Sequence, residues 1–159
     1  MKTALRVVMT VALTAAMGAG WSGGTALAVG DRAVPLKGSL EGTVSITPLA
    51  APFAFVVITA GGNGTHLGNF TLHMPHNVNF ATATGAGTFT LTAANGDTLT
   101  GTFTGHADTS APVFVIEESG TITGGSGRFS GASGTIAFYR LFDPAAGTTT
   151  GTIEGMLSF

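Results

Sequence analysis

The chain reads as all-β, a single closed antiparallel barrel of about eight strands, and three observations in its 159 residues lead there. β-type segments rich in Thr, Val and Phe recur from residue 36 to the end, and nowhere among them does the i, i+3, i+4 apolar spacing of a helix follow a capping residue. The first and last of these segments repeat each other: Gly38-Ser39-Leu40-Glu41-Gly42-Thr43-Val44-Ser45-Ile46 matches Gly151-Thr152-Ile153-Glu154-Gly155-Met156-Leu157-Ser158-Phe159 in residue type at nearly every position. Pairing first with last removes both sheet edges, so closure is expected ahead of a two-sheet sandwich with separately covered edges. Finally, Thr121–Ile136 sets one large apolar residue, Phe129, in a glycine-rich corner between two strands. That is the pattern of a plug holding a tight corner against a core.

Residues 1–28 stand apart. Lys2 and Arg6 precede an apolar run from Val7 to Ala19, and Ala26-Leu27-Ala28 supplies a small-x-small cleavage site, the layout of a secretory signal peptide. The apolar run is well short of the ~20 residues a membrane-spanning helix needs. Cleavage between Ala28 and Val29 leaves residues 29–159 as one barrel domain, expected to be secreted, extracellular or periplasmic, and not inserted in a membrane. Without Lys2 and Arg6, four basic residues face eight acidic ones, a formal net charge of −4, which argues against nucleic acid as a partner. The absence of cysteine excludes disulfides, thiolate metal sites and a thiol nucleophile. Charged residues make up 9% of the chain, against about 25% in typical globular proteins. So sparse a charged surface is threonine-covered sheet or is covered by another subunit, and a homo-oligomer is expected.

Strands are expected near 36–47, 53–59, 66–74, 78–84, 86–94, 98–105, 113–123, 128–142 and 149–159, with Pro48, Pro52, Pro75, Pro112 and Pro144 between them or at their ends. The clearest hairpin is 86–105, where Phe89, Leu91 and Ala93 alternate with threonines before Asn95-Gly96-Asp97, and Leu99, Gly101 and Phe103 alternate after it. A two-residue Asn-Gly turn would set Leu91 against Thr100. A loop of three or five residues instead pairs Phe89 with Phe103 and Ala93 with Leu99, keeping one face apolar.

Glu117-Glu118-Ser119, followed by Thr123-Gly124-Gly125-Ser126-Gly127, Phe129 and Gly131-Ala132-x-Gly134, resembles the corner between two long late strands in the allene oxide cyclase-like barrels and, more distantly, the dirigent proteins. The resemblance covers about 20 residues and concerns the scaffold. It implies an eight-stranded antiparallel barrel with an apolar lumen, frequently trimeric in the plant members. Against that count, the weak 66–74 and 78–84 pair reads as one irregular strand. The plant cyclases place catalytic asparagine, proline and cysteine on earlier strands that residues 36–84 do not match, so no catalytic residue carries over.

Local motifs for chemistry are few. Gly20-Trp21-Ser22-Gly23-Gly24 fits a hydrolase nucleophile elbow in form but falls inside the signal peptide. Gly124-Gly125-Ser126-Gly127 lacks the Lys-Ser/Thr of a phosphate loop. His66, His73 and His76 are expected to be solvated loop histidines, because residues three apart on a strand face opposite sides and no carboxylate lies near; no metal or cofactor is expected. Asn63-Gly64-Thr65 and Asn69-Phe70-Thr71 fit the N-glycosylation pattern in a host that glycosylates.

The strongest functional hint is two charges on apolar parity. Glu118 shares a face with Phe114, Ile116 and Ile122, and Arg140 shares one with Ile136, Phe138 and Phe142. If these faces line the lumen, the two charges pair, since an unpaired buried charge is very unfavourable. The other reading takes Arg140 to solvent along its stem and inverts the parity at Glu118 through a bulge. On the first reading Glu118, Arg140, Phe114 and Phe138 form a ligand site. The protein is then a secreted barrel binding a small apolar molecule; an isomerase or cyclase acting on an oxidised lipid or terpenoid-like substrate, or a structural surface protein with a packed barrel, are the alternatives.

Overall fold

The computed structural model describes residues 33–159, so the expected signal peptide and its cleavage point lie outside the described residues. Among these residues eight strands follow one another: β1 (Val34–Pro48), β2 (Phe53–Gly64), β3 (Gly68–Asn79), β4 (Thr84–Ala93), β5 (Thr98–Asp108), β6 (Phe114–Gly125), β7 (Ser133–Asp143) and β8 (Thr148–Ser158). Each pairs antiparallel with the next, and β1 pairs with β8, closing the barrel. The two repeated segments are the ones that close it, with Gly38 opposite Ile153 and Leu40 opposite Gly151.

Followed across the strands, Ile46 opposes Val56, then come His76, Gly87, Phe103, Gly120, Ile136 and Gly155, and the row returns to β1 at Leu36, ten residues from its start. With eight strands, such an offset goes with a strand tilt of about 35–45° and a lumen just wide enough for side chains to fill. Large residues in the row are interleaved with glycines, which is how so narrow a lumen accepts phenylalanine.

The 66–74 and 78–84 runs are one strand, as the count of eight requires: β3 runs on through Pro75, and residues 80–83 turn into β4. Three local expectations change. Pro75 lies inside a strand. It offers no N–H, and the β3–β4 ladder lacks partners between His73↔Thr90 and His76↔Gly87. The strand expected at 128–142 begins only at Ser133, because Gly127–Phe129 forms a 3-10 turn. In the β4–β5 hairpin, Gly96 takes the left-handed conformation (φ 88°) that ends a turn over Ala93–Gly96, and the Ala93 N–H donates to the Asp97 carbonyl at 2.9 Å. The loop is odd-numbered as expected, but it moves the register by two residues, so Leu91 faces Leu99 and Phe89 faces Gly101.

One end of the lumen is packed shut. Phe129 is fully buried there, edge-on to Phe159 with centroids 5.2 Å apart, in a core that includes Leu36, Phe70, Leu72, Phe89 and Leu99. Burial of a phenylalanine of this kind contributes roughly 1.5–3 kcal/mol, which is what the glycine-rich corner delivers.

Candidate functional site

The opposite end of the lumen opens into a cavity of about 300 Å³. Its walls are apolar: Val44, Ile46, Val56 and Ile58 from β1 and β2, Val78 from β3, Phe114 and Ile116 from β6, and Phe142 from β7, with Phe80 and Pro144 from the turns. Exposed Thr84, His106 and Thr109 also border it. Three buried polar residues reach it from inside: His76, Glu118 and Arg140.

Glu118 and Arg140 both face inward, on the parity that their sequences indicate, and they pair. Glu118 lies opposite Phe138, and Arg140 lies opposite Ile116, so the two charges are diagonal neighbours whose long side chains bridge the offset. Arg140 Nε donates to Glu118 Oε2 at 2.9 Å and Nη2 donates to Oε1 at 2.6 Å, the two-pronged geometry that suits guanidinium and carboxylate. Nη1 donates to Thr149 Oγ1 at 3.2 Å, and that hydroxyl donates to the Leu141 carbonyl at 3.0 Å. Arg140 does not escape to solvent. The strand irregularity next to β6 lies at Thr100/Gly101, away from Glu118.

The sequence makes room for this pair with two glycines on the flanking strands. Gly105 on β5 opposes Glu118 and Gly151 on β8 opposes Arg140. A Cβ on Gly105 would collide with the Glu118 side chain, and one on Gly151 would stand 2.9 Å from Arg140 Cγ. Absence of a side chain is what lets these backbones approach so closely.

His76 is the residue that sequence reasoning misplaced. Set between two expected runs, it reads as a loop histidine; with β3 continuous through Pro75, it is buried in the lumen wall. The available signal was the alternation Phe70, Leu72, Met74, His76, Val78, which continues inward across the proline. Its Nδ1 lies 3.1 Å from the Met74 carbonyl, and its ring meets Phe103 edge-on at 5.3 Å. Burial lowers its pKa below the ordinary 6.5; the Met74 hydrogen bond and the Glu118 charge oppose that shift, while Arg140 adds to it. The three histidines do not converge: His73 is exposed on β3, and His66 sits in the β2–β3 turn, edge-on to Phe159.

Phe114 lines the cavity and packs edge-on to Phe142 at 6.0 Å. Phe138 has the expected inward parity but lies deeper, fully buried against Phe89 with centroids 5.6 Å apart, in the packed layer rather than on the cavity wall. Asn63 and Asn69 oppose each other on the β2–β3 hairpin, joined by a 3.0 Å side-chain hydrogen bond.

No protein-family model matches this sequence, and no curated protein does. Among solved structures, the barrel is similar to that of the pterocarpan synthase dirigent protein GePTS1, with a TM-score of 0.61 at 13% sequence identity, covering 80% of this chain and 86% of that one. The fold is a dirigent-like barrel, in keeping with the corner motif; identity so low carries the fold alone.

Proposed function

We propose that this protein is a secreted barrel that binds a small apolar molecule in the open half of its lumen. The observation that carries this reading is the 300 Å³ apolar cavity in which the only internal charges among the described residues, Glu118 and Arg140, neutralise each other. A space of that volume with few polar groups is the usual form of a small-molecule site, and it weighs against a barrel packed along its whole length. Phe114, Glu118 and Arg140 contact the ligand directly in this reading, and Phe138 supports the floor beneath it. Export follows from the amino-terminal signal pattern. Self-association follows from the scarcity of charge and from the exposed Val115, Tyr139 and Leu141 on neighbouring β6 and β7, with three subunits the expected count.

Native mass spectrometry of the gently purified mature protein should show a co-purified small molecule, and an apolar fluorescent probe should bind saturably. A Val56→Trp variant, filling the cavity, should bind neither. If the wild type carries no ligand and the probe binds both proteins equally, the lumen is not the site.

A second reading, an isomerase or cyclase acting on an oxidised lipid or terpenoid-like substrate, is favoured by the convergence of His76, Glu118 and Arg140 on one cavity, since proton movement calls for more than one polar group around the substrate. Conversion of such a substrate by the wild type and its loss in His76→Phe would establish it.

A further inference from the structure

We infer that the lumen selects a neutral lipophile carrying a hydroxyl group, whose O–H donates a hydrogen bond to Nε2 of His76; this rests on the lumen-binding reading above. Hydrogen-bond capacity inside the cavity is the basis. Each oxygen of Glu118 already accepts one hydrogen bond from Arg140, and three of the five Arg140 N–H groups are engaged by Glu118 and Thr149. The N–H groups left over would serve an alcohol and an ether oxygen alike. The pair is neutral as a unit. A ligand carboxylate would have to displace Glu118 from Arg140 or be buried beside it as a like charge, and a ligand ammonium would meet Arg140 in the same way. Ionised ligands are therefore disfavoured.

His76 is different. A carbonyl cannot donate, so the nitrogen facing the Met74 carbonyl carries the proton, and Nε2 of the neutral ring holds a lone pair. No residue among those described donates to Nε2, yet no buried side-chain nitrogen or oxygen is left sealed without a partner, so Nε2 opens onto the cavity that His76 lines. The Met74 bond and the Phe103 edge contact fix the ring and hence the direction of that lone pair. A fixed acceptor in an apolar wall is complementary to a single donor on an apolar body. It discriminates against an ether, which cannot donate, and against a ketone, whose oxygen lone pairs would face its own.

Four probes of one chain length test this on the mature protein: decane, decanol, decyl methyl ether and decanoate, each displacing an apolar dye at pH 7.5. Decanol should bind about 10-fold more tightly than the ether, and decanoate should bind no better than decane. His76→Phe should erase the decanol preference while decane still binds. Should that variant not fold, ¹⁵N spectra of the wild type serve instead: the Nε2 resonance of His76 should move with decanol and stay with the ether. Equal binding of alcohol and ether, an unmoved Nε2 resonance, or tight decanoate binding lost in Arg140→Met would each overturn the inference while leaving lumen binding intact. Failure of all four to bind would overturn the lumen reading and this inference with it.

Discussion

Arg140 and Glu118 meet inside the barrel through two parallel hydrogen bonds, 2.9 and 2.6 Å long, although the strand register sets neither opposite the other. Their side chains are almost wholly withdrawn from solvent. Replacing either alone, as Glu118→Leu or Arg140→Met, leaves a buried charge unpaired and should destabilise by ~3–5 kcal/mol. The double variant should recover much of that loss. Urea unfolding of all four proteins closes the cycle, and single-variant effects within about half a kcal/mol would show that the pair is not buried in solution.

The two glycines beneath this pair are expected to resist substitution as well, at a smaller cost than the charges. Gly151→Ala places a methyl group 2.9 Å from Arg140 Cγ and tighter still against the Tyr139 carbonyl, which is backbone and cannot swing away. A loss of ~1–3 kcal/mol is expected from such overpacking. Gly96→Ala is the contrast: nothing lies near its Cβ position, and its penalty comes from the left-handed turn conformation alone, on the order of 1 kcal/mol. Melting temperatures of the two variants should separate them, with Gly151→Ala the lower.

Acidification should weaken the protein through His76. Because burial holds its pKa below 6.5 in the folded state, the unfolded chain takes up the proton first as pH falls. The stability due to the neutral ring is complete above about pH 6.5 and is lost progressively below it, toward the folded-state pKa. The charged groups facing this ring are Glu118 and Arg140, from β6 and β7, and they act in opposite directions. Urea midpoints at pH 7.5 and 5.5 should therefore drop further in the wild type than in His76→Gln. Equal drops in the two proteins would place the titrating group elsewhere.

Removing Gly151–Phe159 should abolish folding rather than trim a tail. The segment carries most of β8, which pairs with both β1 and β7, and its Ile153 and Leu157 are core residues. Truncation would open two sheet edges at once. A truncated protein that remained soluble with an unchanged melting curve would contradict the closed barrel.

Much of this architecture was legible in the sequence because strand periodicity is local. Inward parity along 114–122 and 136–142 needs only alternate positions, so the inward facing of Glu118 and Arg140 was one of the two readings the sequence offered. The other, with Arg140 at solvent and the parity inverted at Glu118, falls only to the register and the pairing. The repeat of Gly38–Ile46 in Gly151–Phe159 exposed the closing pair, and Phe129 among glycines exposed the plug. What depends on the relation between strands was not legible. Parity says that two residues share a lumen but not at what depth, and depth decides that Phe114 lines the cavity while Phe138 lies in the packed layer below it. The two-residue shift of the β4–β5 hairpin hung on which residue took the left-handed turn position, a choice that Asn95-Gly96-Asp97 leaves open until the neighbouring strands are present. His76 was hidden by Pro75, since a proline ends most strands when only its missing N–H is counted. The barrel tolerates it because β3 keeps its pairing to β2 while the ladder to β4 skips two residues, a compensation that only tertiary structure supplies.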